Sequence, residues 1–132
     1  MEDLICLDTG IVVALLRKSE FSWRWLHSLS PETIVSTTLI TLFELYRGVY
    51  LGSRIKEELT DIKDLLESIT ILPFTQEHMN EAARVSVELQ KKGISLDIRD
   101  LLIGVCAREE GSSLKTNNKK HFENIPELTL AD

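Results

Sequence analysis

Four polar side chains in this chain sit where they could do chemistry: Asp8, Glu44, Asp100 and Asn118. Asp8 ends the apolar run Leu4-Ile5-Cys6-Leu7 and is followed by Thr9-Gly10. Glu44 lies between Phe43 and Leu45, inside a segment with helical apolar spacing. Asp100 opens the apolar run that begins Leu101-Leu102-Ile103, and Asn118 follows Ser113-Leu114-Lys115-Thr116. Carboxylates brought together repel and raise one another's pKa. Such a cluster is favourable only when something neutralises it, and oxygen-only ligands suit Mg²⁺, with Mn²⁺ as the substitute. An ion held this way keeps waters and can hold a phosphate. It can also activate a water for in-line attack. Each residue has a plainer reading as well. Asp8 or Thr9 can cap a helix, Glu44 can pair on the surface with Arg47, and Asp97 has the spacing of an N-cap for the helix that carries Asp100.

The elements that would position these groups alternate along the chain. Residues 4–7 read as a short buried strand and 11–16 as an apolar helix. Phe21, Trp25 and Leu29, widened by Trp23 and Leu26, predict a helix that ends before Pro31. Residues 33–36 are β-branched and short, a second strand. Thr37 or Thr38 then caps a helix whose apolar face is Leu39, Leu42, Phe43, Tyr46 and Val49. Gly48 within it predicts a close backbone approach. Ile55, Leu59, Ile62, Leu66 and Ile69 make the stripe of the next helix, and residues 70–74 a third strand. Thr75 caps a long helix with Met79, Ala82, Ala83, Ser86 and Leu89 on one face, closed by Lys91-Lys92-Gly93. The helix over 101–110 is apolar on most sides and is therefore buried. Residues 113–116 and 128–130 complete the strands. The alternation predicts an α/β fold with a mostly parallel central sheet and helices on both faces. In such a sheet the strand ends and the following helix N-termini share one edge, which is where the four polar side chains would meet.

A chain of 132 residues is a single domain, 1–132, with room for a real core. The formal net charge of −6 argues against binding nucleic acid by bulk electrostatics. It does not argue against reaching phosphate through a bound cation, which reverses the local sign. Cys6 and Cys106 lie in apolar segments and suit small buried hydrophobes. With His27, His78 and His121 they show no zinc-ligand spacing. No apolar run is long enough to span a bilayer, and the acidic start Met1-Glu2-Asp3 does not resemble a secretory leader. The expected location is the cytoplasm. Asp8-Thr9-Gly10 also matches the aspartic-protease triplet, but that fold is all-β and this triplet opens a helix. A nucleophilic-aspartate phosphatase would need an acid where Gly10 stands. A receiver domain would need an Asp ending the third strand, where this chain has Leu72-Pro73.

Taken together the motifs resemble the PIN-domain ribonucleases, specifically the VapC toxins of toxin–antitoxin pairs. Leu7-Asp8-Thr9 resembles the first acidic motif, Thr41-Leu42-Phe43-Glu44-Leu45-Tyr46-Arg47-Gly48 the second, and Asp100-Leu101-Leu102-Ile103-Gly104 the third. Leu114-Lys115-Thr116-Asn117-Asn118-Lys119-Lys120-His121-Phe122, then Ile125-Pro126-Glu127-Leu128, resembles the C-terminal signature. The resemblance implies a PIN-like three-layer sandwich and Mg²⁺-dependent endonucleolytic cleavage of RNA, commonly tRNA or rRNA. It implies Asp8, Glu44 and Asp100 as metal-binding acids, with Asn118 as the fourth polar member supported by Thr116. It also implies a VapB-type antitoxin as partner and a homodimer. The chain departs from the family pattern at Gly10, often Asn, and at Asn118, often Asp. A non-catalytic PIN-fold module that binds RNA or protein is the rival reading. His121, in a His-Phe pair, could contact RNA, with a packed or solvated side chain as the plainer reading.

Overall fold

The computed structural model describes residues 3–132; Met1 and Glu2, which entered the reading of the N-terminus, lie outside it. In chain order the elements are β1 (Leu4–Leu7), α1 (Thr9–Leu16), α2 (Glu20–His27), β2 (Ile34–Thr37), α3 (Leu39–Leu51), α4 (Ile55–Leu66), β3 (Thr70–Ile71), α5 (Gln76–Lys91), α6 (Ile98–Glu109), β4 (Ser113–Lys115) and α7 (Lys119–Phe122). The strands form one sheet in the order β3-β2-β1-β4, with every pair parallel. Ile5 stands opposite Val35 on one side and Ser113 on the other.

Successive strand residues point to opposite faces, and β1 uses both. Cys6 packs into a core with Ala82, Val85 and Leu89 of α5 and Leu101, Val105 and Cys106 of α6. Leu7 packs into the other core, with Ile11, Val12 and Leu15 of α1, Leu45 and Val49 of α3 and Ile62 of α4. Right-handed crossovers explain this division. The chain moves from β1 to β2 to β3 in one direction, which puts α1, α3 and α4 on one face. It then returns past β1 to β4, which puts α5 and α6 on the other. The result is the expected three-layer α/β sandwich.

The cysteines are buried and free, and burial pushes the Cys6 thiol up to about 12 and the Cys106 thiol up to about 11. As the all-round apolar pattern predicts, α6 is buried along Leu101, Ile103, Gly104, Val105, Cys106 and Ala107. A Cβ on Gly104 would overlap the end of Ile125 and touch Phe122 and Leu128. The glycine therefore lets the C-terminal segment lie directly on the helix.

Several local expectations are corrected. The buried face of α3 is Thr41, Leu45 and Val49, while Leu39, Phe43 (62 % exposed) and Tyr46 face outward. The helix carries apolar residues on more than one face, so spacing alone could not choose between them. Gly48 has open space where a Cβ would stand, so no close approach explains it. In α5 Ala82 and Leu89 of the expected stripe are buried, but His78 and Val85 join them and Met79, Ala83 and Ser86 face outward. His78 holds an apolar position because both ring nitrogens are satisfied. Nδ1 accepts the Thr75 N–H at 2.9 Å, which leaves Nε2 to donate to Glu110 at 2.9 Å. Phe21 is 75 % exposed and α2 ends at His27. The two tryptophans pack partly against the second core. The third strand stops at Ile71, with one more ladder bond from the Leu72 N–H to Thr37 O at 2.9 Å before Pro73, which has no N–H. The last strand is a single parallel bridge between Leu114 and Leu130.

Candidate active site

In a sheet of this order the direction of winding reverses beside β1, and the crevice at the strand ends opens there. Asp8 leaves β1 at that point, and its N–H donates to Lys115 O at 3.1 Å. The Asp8 side chain does two things at once. Oδ1 accepts the Ile11 N–H at 3.0 Å and caps α1, while Oδ2 accepts the hydroxyl of Thr116 at the end of β4. Thr116 Oγ1 in turn accepts the Asn118 N–H at 2.9 Å. The capping role and the site role of Asp8 therefore coexist. A carboxylate has about four lone-pair directions, so two protein hydrogen bonds leave it able to ligate.

Glu44 reaches the same crevice from α3. Thr9 Oγ1 donates to Glu44 Oε1 at 2.8 Å and lies 3.1 Å from Thr41 Oγ1, which ties α1 to α3 beneath the carboxylate. The cationic partner of Glu44 is Arg99 at 3.6 Å, not Arg47 as a surface pair would have had it. Asp100 projects from the first turn of α6 with His121 Nδ1 3.2 Å from its Oδ2. Burial raises the Asp100 carboxyl above the ordinary carboxylate range, and the nearby charges of Asp97 and Glu44 push the same way. His121 opposes them. Asp97 is the N-cap of α6, as its spacing predicted, accepting the Arg99 N–H at 2.8 Å. Its hydrogen bonds from the Arg99 side chain hold its carboxyl below the usual range.

The four sequence-selected residues, Asp8, Glu44, Asp100 and Asn118, thus line one cleft of about 290 Å³. Thr9, Gly10, Arg99 and His121 share its walls. The donor set is oxygen-only in Asp8, Glu44, Asp100 and Asn118, which is the chemistry a hard divalent cation takes, and the cleft has room for bound waters. As they lie, no three His, Cys, Asp or Glu side chains among the described residues stand close enough to close on an ion. Each acid is instead engaged locally: Asp8 by Ile11 and Thr116, Glu44 by Thr9 and Arg99, Asp100 by His121. Arg99 is thus the cation beside Glu44, while the Asp8 partners are uncharged donors. Arg99 and Thr9 escaped sequence reasoning as functional candidates, although each is the immediate neighbour of a selected acid. His121 meets Asp100 only because α7 folds back over the start of α6.

A parallel four-stranded sheet between two helical layers, with three carboxylates lining the cleft at its switch point, defines an α/β protein with an acidic cleft at the ligand-binding edge of the sheet. The PIN domain family matches residues 5–128, and the chain belongs to that family, in its VapC branch. It is 34 % identical over 132 residues to Ribonuclease VapC1 of Rickettsia felis, covering 96 % of this chain and 93 % of that protein. It is 30 % identical over 121 residues to Ribonuclease VapC2 of Haemophilus influenzae, covering 90 % and 89 % respectively. Among solved structures it superposes on VapBC2 from Rickettsia felis bound to a promoter DNA fragment, with a TM-score of 0.90 at 27 % identity over 97 % of both chains. None of the helices among the described residues is long and apolar enough to cross a membrane.

Proposed function

We propose that this protein is the endoribonuclease toxin of a VapBC-type pair, cutting RNA phosphodiester bonds with the help of Mg²⁺, or Mn²⁺ in its place. The observation that carries the reading is the meeting of Asp8, Glu44, Asp100 and Asn118 from four separate elements on one cleft at the sheet's switch point. Asp8, Glu44 and Asp100 are the residues that would hold the ion, with Asn118 adding an uncharged oxygen. The ion, when bound, supplies positive charge to the phosphate and makes a water more acidic. The chain's own part is positional. Thr116 and the Ile11 N–H fix the Asp8 carboxylate, and Thr9 fixes Glu44. The exposed cations Lys119 and Lys120 begin α7 just after Asn118, beside the cleft, and can take the RNA backbone. tRNA and rRNA are the substrates that fit the family.

The proposed partners are a VapB-type antitoxin and a second copy of the chain. On its other side Glu44 also borders a larger groove of about 600 Å³ between α1, α3 and α4. Leu16 and Ile62 supply apolar wall there, and Arg17 and Arg54 supply charge. An antitoxin segment lying in that groove would reach the acidic cleft at Glu44. One observation favours the rival reading, a non-catalytic PIN-fold module: each acid is engaged by groups of the chain itself, Asp8 by Thr116, Glu44 by Arg99 and Asp100 by His121.

The deciding experiment incubates wild type and Asp8→Asn with labelled total RNA in Mg²⁺, Mn²⁺ or EDTA. Discrete cuts that need both metal and Asp8 support the nuclease. Equal behaviour of the two proteins, with no stabilisation by metal, supports the module.

A further inference from the structure

Glu44 faces a cation that belongs to the chain. Arg99 Nη1 lies 3.6 Å from Glu44 Oε2, an ion pair rather than a hydrogen bond. The guanidinium is held from behind by Asp97, whose Oδ1 is 3.3 Å from Nε and whose Oδ2 is 3.4 Å from Nη2. The same Oδ1 takes the Arg99 backbone N–H at 2.8 Å. One aspartate thus sets both the start of α6 and the root of the guanidinium. Nη1 is left facing Glu44, on a side chain that is half-exposed.

Glu44 Oε1 already accepts from the Thr9 hydroxyl, so Oε2, the oxygen without a hydrogen bond, is the more open to a divalent ion and is the one that Arg99 faces. Two cations at one carboxylate oxygen in a partly desolvated cleft repel each other. The Asp97 tether keeps a displaced guanidinium at the cleft wall rather than releasing it to bulk water. There its free edge matches the paired oxygens of a phosphate, which a guanidinium binds in a fixed fork.

We propose that Arg99 is a substrate-positioning residue with two partners in turn: it holds Glu44 in the metal-free cleft, and gives Glu44 up to take an RNA phosphate oxygen in the loaded one. The proposal rests on the reading above, its first half on Glu44 as a metal-holding acid and its second half on the ribonuclease activity.

The test compares full-length wild type with Arg99→Ala and Arg99→Lys, both of which keep the backbone N–H that Asp97 caps. Calorimetry with Mn²⁺ alone, without RNA, reads the first half. Arg99→Ala should bind Mn²⁺ about three-fold more tightly, the size of a half-exposed ion pair, and Arg99→Lys should stay near wild type. Initial rates on labelled tRNA and rRNA pools in Mn²⁺ read the second half. Arg99→Ala should raise KM about ten-fold with kcat changed far less, and the salt slope of binding should flatten by the share of about one phosphate. Arg99→Lys should recover part of the KM. Mn²⁺ affinity and KM both unchanged in Arg99→Ala overturn the proposal while leaving the nuclease intact. A wild type that binds Mn²⁺ but cuts neither pool overturns the ribonuclease reading and the phosphate half with it; the Mn²⁺ comparison then still decides whether Arg99 guards Glu44.

Discussion

Thr116 donates its hydroxyl to the carboxylate of Asp8 across 108 positions of sequence, joining the end of β4 to the end of β1. The bond places one oxygen of Asp8 and accounts for a buried hydroxyl at once. It also changes what an amide at position 8 would do. Asparagine can still cap α1 through its carbonyl, but its NH₂ cannot accept from Thr116. Asp8→Asn should abolish metal-dependent RNA cleavage and lose about 1 kcal/mol of stability, the worth of one buried hydrogen bond. RNA cleavage assays and a urea melt in EDTA check both. A variant as stable as wild type in EDTA would mean that acid repulsion, rather than the Thr116 bond, dominates at this position.

Asp100 behaves in the opposite sense. Its carboxyl is raised, chiefly by burial. Between its unfolded and folded values the native chain binds the proton and the unfolded chain does not, so stability falls as pH rises through that window. The cost is complete above the folded value. Asp100→Asn should therefore abolish cleavage yet be at least as stable as wild type at pH 7 in EDTA. Its advantage should shrink as pH is lowered through the carboxylate range. Melting temperatures of the two proteins across pH 3 to pH 8 measure this, and a constant difference would contradict it.

Lys119 and Lys120 are exposed at the start of α7, next to Asn118. Lys119→Ala with Lys120→Ala should weaken RNA binding and flatten its salt dependence by about 0.7 in slope for each phosphate no longer neutralised. Binding of a labelled RNA at several salt concentrations reads the slope. An unchanged slope would place the RNA backbone elsewhere on the surface.

On the far side of the sheet, Arg108 is nearly enclosed, its side chain 7 % exposed. It donates to Glu81 Oε1 at 2.6 Å and to Pro126 O at 3.0 Å, tying α6 to α5 and to the C-terminal segment. Hydrogen bonds from Arg84, and from Arg108 with it, hold the Glu81 carboxyl down at about 2 against an ordinary 4.5. The unfolded chain takes up a proton in that interval and the folded chain does not. The contribution is therefore full above about 4.5 and is lost as pH falls toward about 2. Glu81→Gln should melt lower than wild type at pH 7, and the gap should close as pH falls through that interval. Thermal melts from pH 2 to pH 7 check this, with the same gap at both ends as the contrary result.

Where the physical signal is local, the sequence reading survives in detail. Leu4–Leu7 made a strand ended by Asp8, Thr75 capped α5, Asp97 capped α6, and Leu101 with the run from Ile103 to Ala107 lay buried, although the turn expected after Asp8 is instead the first turn of α1. Asp8 and Asp100 stood out because each borders a buried apolar run, whereas Glu44, inside a helix, was singled out by the resemblance rather than by its spacing. The faces of α3 and α5 were legible only in part, through Val49 in α3 and Ala82 and Leu89 in α5. Hydropathy treats Thr41 and His78 as polar, yet both are buried because hydrogen-bond partners come to them from elsewhere. Phe43 and Tyr46 are apolar in type yet face outward.

By itself the sequence determined the alternation of strands and helices and the parallel sheet, and it singled out the acids that line the cleft, because periodicity, caps and turn residues act within a few positions of one another. Only the tertiary structure decided what each acid touches. Thr116 on Asp8, Arg99 on Glu44 and His121 on Asp100 are pairings between separate elements. Hydrogen bonds and ion pairs depend on distances of a few ångströms between groups, and the chain creates those distances only when the sheet is assembled and the helices pack against it.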